Sequence, residues 1–467
     1  MKNIILATIN AKWIHPSLAL RLLKANLGGL EDRCEIIEFA LRQPLGEKIG
    51  ALLGAFPPDG KRRILGISVS IWNHAQTIEL LKELFKAWQE KPVIVLGGPE
   101  VSYLPPESEI LKYADHAVRG EGETIFRLLC EEILLNEAGK EPQKFPVMRK
   151  FTRKEHGEIK PAYYLYTDED IKKKLIYVES SRGCPFGCEF CLSAAEKKVY
   201  EFPLDQFLPE MSALIRRGVK TFKFLDRSFN VNIPRALSII DFFLDELKKH
   251  AFVVHFEMVP SLFPKELREK LALFPPETLR LETGIQTLNS EVSARIGRPS
   301  NPEKELEALR LLSENTNAVI HADLIAGLPG EDLSSFGKGF DMLWQALHPA
   351  LSKSHSPEIQ PGILKLLPGT PIIRHNEKFG MQYSTDPPYE VIETSAMSAD
   401  DIRRIKNFAR FWELLVNRKM IKIPLNKPVF NDFLDLSDLL FMHFGRNWGI
   451  DKAELIKKIK EINRFYV

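Results

Sequence analysis

Cysteine is scarce in this chain and unevenly placed. Only five of the 467 residues are cysteine, and three of them fall between positions 184 and 191. So few thiols cannot staple a secreted disulfide scaffold, and they fit a reducing compartment. No apolar run approaches the ~20 residues that a bilayer crossing needs. The opening Met-Lys-Asn-Ile-Ile-Leu-Ala is too short and wrongly flanked for a secretion signal. Neither sign of charge is in excess, since 64 basic against 62 acidic residues leave a formal +2. No global field for nucleic acid follows from that balance. No G-x-G-x-x-G follows the first apolar run, which disfavours a dinucleotide. Internal repeats and low-complexity tracts are missing too. These absences leave a cytoplasmic enzyme without a membrane or nucleic-acid partner, long enough for about two to four domains.

What is present is β/α alternation. Strand-like runs at Asn3–Thr8, Cys34–Phe39, Ile64–Ser70, Val93–Leu96 and His116–Arg119 alternate with helical patterns at Ser17–Asn26, Ala75–Trp88 and Thr124–Leu135. Weaker helices fit Leu45–Leu53 and Pro106–Lys112. Five such strands predict a flavodoxin-like, doubly wound sheet whose ligands sit beyond the strands' carboxyl ends. Those ends carry Ser70, Gly97, Gly98, Gly120, Glu121 and Gly122. The glycines allow close approach of backbone to a ligand, and tight βα turns alone would also select them. Residues 136–170 are Lys/Glu-rich and read as a linker with a small hairpin.

Alternation restarts at Leu175–Val178 and continues through strands near Thr221–Leu225, Val253–Met258, Thr278–Gln286, Ala318–Ile325 and Glu358–Leu366. Six strands, each followed by a helix, predict a partial TIM-like (β/α)6 barrel with chemistry at the strand C-termini. From about Phe379 the pattern is helical, at Asp400–Asn417, Phe430–Phe444 and Lys452–Ile462. The expected domains are 1–135, a linker at 136–170, 171–378 and 379–467.

The first barrel strand runs directly into Cys184-Pro-Phe-Gly-Cys188-Glu-Phe-Cys191. Proline and glycine exclude helix or strand there, so the thiols lie on a loop fit to wrap a metal. Zinc would want a fourth close ligand, and no Cys or His follows at suitable spacing. A [4Fe-4S] cluster on three thiolates leaves one iron open. Further on, alternation puts Glu282, Gly284 and Gln286 on one face of a strand. Asp323 and Ile325 share a face of the next. Asp226 ends the second barrel strand, aimed at the mouth or paired with Arg227. Glu257 is inward if His255 is.

The C-x₃-C-x₂-C array with Phe190 resembles the cluster loop of the radical S-adenosylmethionine enzymes. Glu282-Thr-Gly-Ile-Gln286 followed by Ile296-Gly-Arg298, and His321-Ala-Asp-Leu-Ile325, are similar to that family's coproporphyrinogen dehydrogenase branch. The resemblance implies that the open iron chelates S-adenosylmethionine. It further implies that Gln286 meets the ribose, Arg298 the carboxylate, and Asp323 and Ile325 the adenosyl group. Phe190, Glu257 and Glu282 join them as cofactor contacts, and Asp226 and Glu257 are the catalytic candidates. An exposed Arg298 is the bland alternative.

A glycine-bearing flavodoxin-like domain ahead of such a barrel resembles the cobalamin-binding class of the family. Ser70, Trp72, Asn73 and His74 follow the third strand and are expected beneath the corrin. The D-x-H-x-x-G motif is missing, because His116 follows Asp115 directly. That argues against a histidine on cobalt, and His15 and His74 are expected in polar surface contacts. Cys34 and Cys130 read as small core hydrophobes. The implied activity is cobalamin-dependent methylation of an unactivated carbon by a 5′-deoxyadenosyl radical, with a reductant such as flavodoxin or ferredoxin. The substrate is a small molecule or peptide that the residues leave open. A rearrangement or ring contraction without methyl transfer, and an electron-transfer protein, are the alternatives.

Overall fold

The computed structural model describes residues 2–135, 147–150, 159–195, 197–298, 300–349, 357–425 and 427–462. The chain forms two compact units, residues 1–178 with 203–222, and residues 179–202 with 223–467.

In the first unit, β1 (Ile4–Asn10), β2 (Cys34–Ala40), β3 (Ile64–Ser68), β4 (Val93–Gly97), β5 (His116–Arg119) and β6 (Val147–Lys150) form a parallel sheet. Its order is β2-β1-β3-β4-β5-β6, so the switch point lies between β1 and β3. Helices α1 (Leu18–Ala25), α2 (Leu45–Ala55), α3 (His74–Ala87) and α4 (Glu123–Leu135) connect the strands. Ser17 starts α1 by accepting a hydrogen bond from the Leu20 amide. One sheet face packs Ile5, Leu65 and Leu96 on Leu80 and Leu84. The other packs Leu6 and Val95 against Phe126, Leu129, Cys34 and Cys130. Burial pushes the Cys34 thiol up to about 12 and Cys130 higher still, as for inert core residues. The helix expected at Pro106–Lys112 is a 3₁₀ turn, Glu109–Tyr113.

The stretch 136–170, read as a linker, holds a strand and the start of a helix among its described residues. Val147–Lys150 pairs in parallel with β5 as a sixth strand, and the rest of the expected hairpin, at 136–146 and 151–158, lies outside the described residues. Helix α5 (Asp168–Lys173) follows, with Thr167 and Asp170 forming a capping box. Asp170 Oδ2 lies 2.8 Å from Arg21 Nη2, whose other terminal nitrogen sits 2.9 Å from Glu38 Oε2. Arg21 also lies over the Tyr166 ring. That buried knot fastens the segment to α1. Strand β7 (Ile176–Val178) and α6 (Leu204–Arg216) complete the unit.

In the second unit, β8 (Ser181–Arg182) and β9 (Tyr200–Glu201) pair antiparallel at the two ends of the cysteine loop. Then β10 (Thr221–Phe224), whose Lys223 and Phe224 fall in this unit, β11 (Val253–Met258), β12 (Leu279–Gln286), β13 (Val319–Ala326) and β14 (Glu358–Ile363) are successive neighbours in one sheet. Helices α7 (Ile233–Leu247), α8 (Lys265–Leu271), α9 (Ser290–Arg295), α10 (Pro302–Asn315) and α11 (Leu333–Leu347) lie between them. Strict alternation along β11 and β12 buries Val254, Phe256, Leu279, Leu281 and Ile285 on one face. The other face is left half-open and polar. A two-strand pair, β15 (Gln382–Tyr383) with β16 (Val391–Glu393), precedes α12 (Ala399–Trp412), α13 (Phe430–Phe444) and α14 (Lys452–Ile462). Phe408, Trp412, Phe430 and Phe340 join α12 and α13 to α11 through ring contacts. Among the described residues no helix is long and apolar enough to cross a membrane.

Candidate functional site

Cys184, Cys188 and Cys191 are half-buried free thiols on the loop that β8 and β9 close. Ser228 Oγ lies 4.0 Å from Cys184 Sγ, and the Arg298 guanidinium is within hydrogen-bonding reach of Cys188. Burial raises the Cys184 and Cys188 thiols, so metal uptake there must displace protons. Among the described residues no three His, Cys, Asp or Glu side chains converge on a single ion. Three thiols on one short loop suit an iron–sulfur cluster that leaves one iron open. Phe190 is half-buried beside them.

The inward sheet face gathers most of the other expected residues. Glu257, Glu282, Gly284, Gln286, Asp323 and Ile325 are all partly open, whereas their immediate neighbours are buried. Glu257 pairs with Glu282, and Gly284 with Asp323, in register. His255 Nε2 and Lys223 Nζ lie 3.2 and 3.1 Å from Glu282 Oε2 and hold that carboxyl down at about 2. Desolvation, reinforced by the Glu282 charge, raises Asp323 to about 7. Desolvation likewise raises Glu257 to about 7, against an opposing pull from Arg227. Excess negative charge on a half-closed face suits a cationic ligand.

Gln286 ends β12 at a bulge with φ of +69°, and its amide folds back over Gly284, where any Cβ would collide with it. Its Oε1 is buried without a partner. Arg298 is not exposed: 12% of its side-chain surface is reachable, and it donates to the Gly284 carbonyl beside Glu305. Glutamine, arginine and cluster loop therefore meet around one backbone segment.

Asp226 is a correction. It is 1% exposed and does not face the mouth. Its oxygens accept from the Ser180 amide at 2.9 Å, Ser180 Oγ at 2.6 Å and Ser181 Oγ at 2.7 Å. It anchors the entry to the cysteine loop. Arg227 does not pair with it, and lies 3.7 Å from Glu257 instead.

Sequence reasoning passed over Lys223, His321, Glu358 and Gln360. His321 Nδ1 lies 3.0 Å from Glu358 Oε2 and its ring stacks on His255. The same two-residue alternation that marks Glu282 would have marked them.

In the first unit, Gly97, Gly98, Gly120, Glu121 and Gly122 stand at the carboxyl ends of β4 and β5, as expected. Gly98 has φ of +99° and lies so close to the Val69 backbone that no Cβ fits. Space around Gly120 is open. Asn73 is a second correction, being wholly buried. Its Oδ1 accepts from Ser70 N at 2.8 Å and its Nδ2 donates to the Ile9 carbonyl at 3.0 Å. It ties the ends of β1 and β3 together at the switch point, and Ser70 is buried with it. His74 is buried too, with Nδ1 2.8 Å from Glu100 Oε1, so the expected surface contact is wrong for it. His15 Nδ1 is 2.8 Å from the Tyr177 hydroxyl. Trp72 is the residue after β3 that stays open, at 51% exposure.

The fold is a doubly wound parallel sheet followed by a parallel sheet entered through a three-cysteine loop. The B12 binding domain model matches residues 4–129 and the radical SAM superfamily model residues 178–343. A protein-of-unknown-function model, DUF4080, matches residues 377–454. The chain thus carries a B12-binding domain followed by a radical SAM domain.

An uncharacterised methyltransferase of Pyrococcus horikoshii is 25% identical over 68% of this chain and 70% of its own. The 2-(S-pantetheinyl)-carbapenam-3-carboxylate methyltransferase of Streptantibioticus cattleyicolor is 23% identical over 73% of this chain, which spans 52% of that enzyme. The radical S-adenosylmethionine methyltransferase TsrM from Kitasatospora setae, solved with cobalamin and a [4Fe-4S] cluster, superposes with a TM-score of 0.63 at 16% identity. That match covers 99% of this chain and 100% of TsrM, and shows the shared fold.

Proposed function

We propose that this enzyme is a cobalamin-dependent radical S-adenosylmethionine methyltransferase acting on an unactivated carbon. The observation that carries the reading is the meeting of the three-thiol loop with Arg298 and Gln286 in a chain that also has a B12-binding domain. The relatives' names support methyl transfer. When bound, the cluster supplies the electron that cleaves S-adenosylmethionine, and cobalamin carries the methyl group.

The chain's own residues position and shield. Cys184, Cys188 and Cys191 hold the cluster, with Phe190 covering the loop. Arg298 forks onto the S-adenosylmethionine carboxylate. The orphaned Gln286 Oε1 takes a ribose hydroxyl, and Asp323 and Ile325 flank the adenosyl group. Glu257 and Glu282 face the cofactor's positive charge. Asp226 acts through Ser180 and Ser181, orienting the loop. Gly97, Gly98, Gly120, Glu121 and Gly122 form the corrinoid-facing edge, with Trp72 in the place first given to Asn73. The functional divisions fall at 1–135, 171–378 and 379–467. A cytoplasmic flavodoxin or ferredoxin supplies electrons, and the substrate is a small molecule or peptide.

The test is product analysis. Cobalamin-loaded enzyme with S-adenosylmethionine and reductant should release S-adenosylhomocysteine in amounts that depend on cobalamin. Cleavage to 5′-deoxyadenosine alone, with cobalamin bound, would instead favour a rearrangement.

A further inference from the structure

Glu189 sits in the cysteine loop between Cys188 and Cys191, and is 6% exposed. Every polar group it has is engaged. Its amide donates to the Ile296 carbonyl at 2.9 Å, and its carbonyl accepts from the Ile372 amide at 3.0 Å. One carboxylate oxygen accepts from Arg374 Nη2, and the other lies 2.8 Å from His375 Nε2. Both partners come from the 3₁₀ turn Pro371–His375. On the opposite side, Gly297 has φ of +68°, and a Cβ there would stand 2.7 Å from the Gly187 carbonyl oxygen and 3.2 Å from Glu189 Cγ. The loop is therefore gripped between the turn that carries Arg298 and the turn that carries Arg374 and His375.

Anchoring alone does not call for a charge. The backbone bonds to Ile296 and Ile372 already fix the loop, and a buried carboxylate is costly unless paired. The charge falls next in sequence to one cluster cysteine and two residues from another. A fixed negative charge there disfavours an added electron, and a cation beside it offsets that effect. Arg374 is 63% exposed while Glu189 is nearly sealed, so salt screens the cation's outer side more than the carboxylate.

We propose that Glu189, balanced by Arg374 and His375, is a positioning residue that sets the potential at which the cluster accepts its electron. This rests on the reading that Cys184, Cys188 and Cys191 hold a [4Fe-4S] cluster. The grip couples that potential to the 371–375 turn. A change in this turn is felt at the cluster without touching a ligand.

The experiment is a redox titration of the anaerobically reconstituted full chain, followed by electron paramagnetic resonance, with iron content measured on each sample. Glu189→Gln keeps the shape, removes the negative charge and should raise the midpoint potential. Arg374→Gln leaves the carboxylate less compensated and should lower it. The double variant should return toward the wild-type value. Midpoints that stay at the wild-type value, or move in the same direction in both single variants, with iron retained, would overturn the proposal. Should Glu189→Gln fail to hold iron, Arg374→Gln decides: a lowered midpoint supports the proposal and an unmoved one overturns it. Wild-type protein that takes up no iron, or Cys184→Ala protein that keeps it, removes the cluster assignment and this proposal together.

Discussion

A carboxyl group on the inward face of a sheet shows the cost of burial in its proton affinity. Asp323 moves from an ordinary 3.8 to about 7, by desolvation first and by the nearby Glu282 and Glu257 charges second, against Lys223. Between those two values the folded chain keeps a proton that the unfolded chain has lost. Its contribution to stability therefore falls as pH rises from about 4 to about 7, and is fully lost above that. Asp323→Asn should stabilise the cofactor-free chain at pH 8 by on the order of 1–3 kcal/mol and do little at pH 4. Thermal unfolding at the two pH values checks it, and equal effects at both would contradict it. Glu282 runs the opposite way. Held at about 2 by His255 and Lys223, it stabilises above its usual 4.5, an effect lost as pH falls toward 2.

Arg298→Ala should weaken S-adenosylmethionine binding about ten-fold or more, for a lost charge-assisted contact of roughly 1.5–3 kcal/mol. An unchanged dissociation constant by calorimetry removes Arg298 from the site. Cys184→Ala, Cys188→Ala and Cys191→Ala should each abolish cluster iron, while Cys34→Ala and Cys130→Ala leave it unchanged. Loss of iron in either control would show the wrong thiols assigned.

Residues of this kind were legible where one periodicity decides. Alternation alone places Glu282 and Gln286 together, and Asp323 with Ile325. It could not reveal that Asp226 is consumed by two serines from the loop entry, or that Asn73 spends its amide on β1 and β3. Those partners are distant in sequence, and a polar residue at a strand end looks the same whether it serves a ligand or a turn.

At the scale of elements, long and strongly patterned segments follow from sequence. Helices Phe430–Phe444 and Lys452–Ile462 have the expected limits. Strand β6 does not, since Val-Met-Arg-Lys is four residues long and alternates nothing. Helix α5 is hidden for another reason. Its anchor is Arg21, 149 residues before Asp170. Arg21→Ala strips that partner from Asp170 and from Glu38 inside the protein. It should cost about 3–5 kcal/mol, the usual effect of breaking a buried pair. Urea unfolding measures it, and a loss below about 1 kcal/mol would show that the knot is not needed.

The whole molecule carries two cofactor-binding domains in one chain. Both histidines near the switch point spend their Nδ1 atoms inside the protein. His74 is buried against Glu100, and His15 faces the Tyr177 hydroxyl. In the cobalt electron paramagnetic resonance spectrum, His15→Ala and His74→Ala should leave nitrogen splitting as in wild type. A change in either variant would place an imidazole on the metal.

Cobalamin and cluster should be held together by one chain. The full chain, reconstituted anaerobically with iron, sulfide and hydroxocobalamin and then desalted, should keep about one cobalt and about four irons per chain, with corrinoid absorbance to match. Protein that keeps its iron and emerges colourless in the corrinoid bands would contradict the cobalamin assignment and the methyltransferase reading with it.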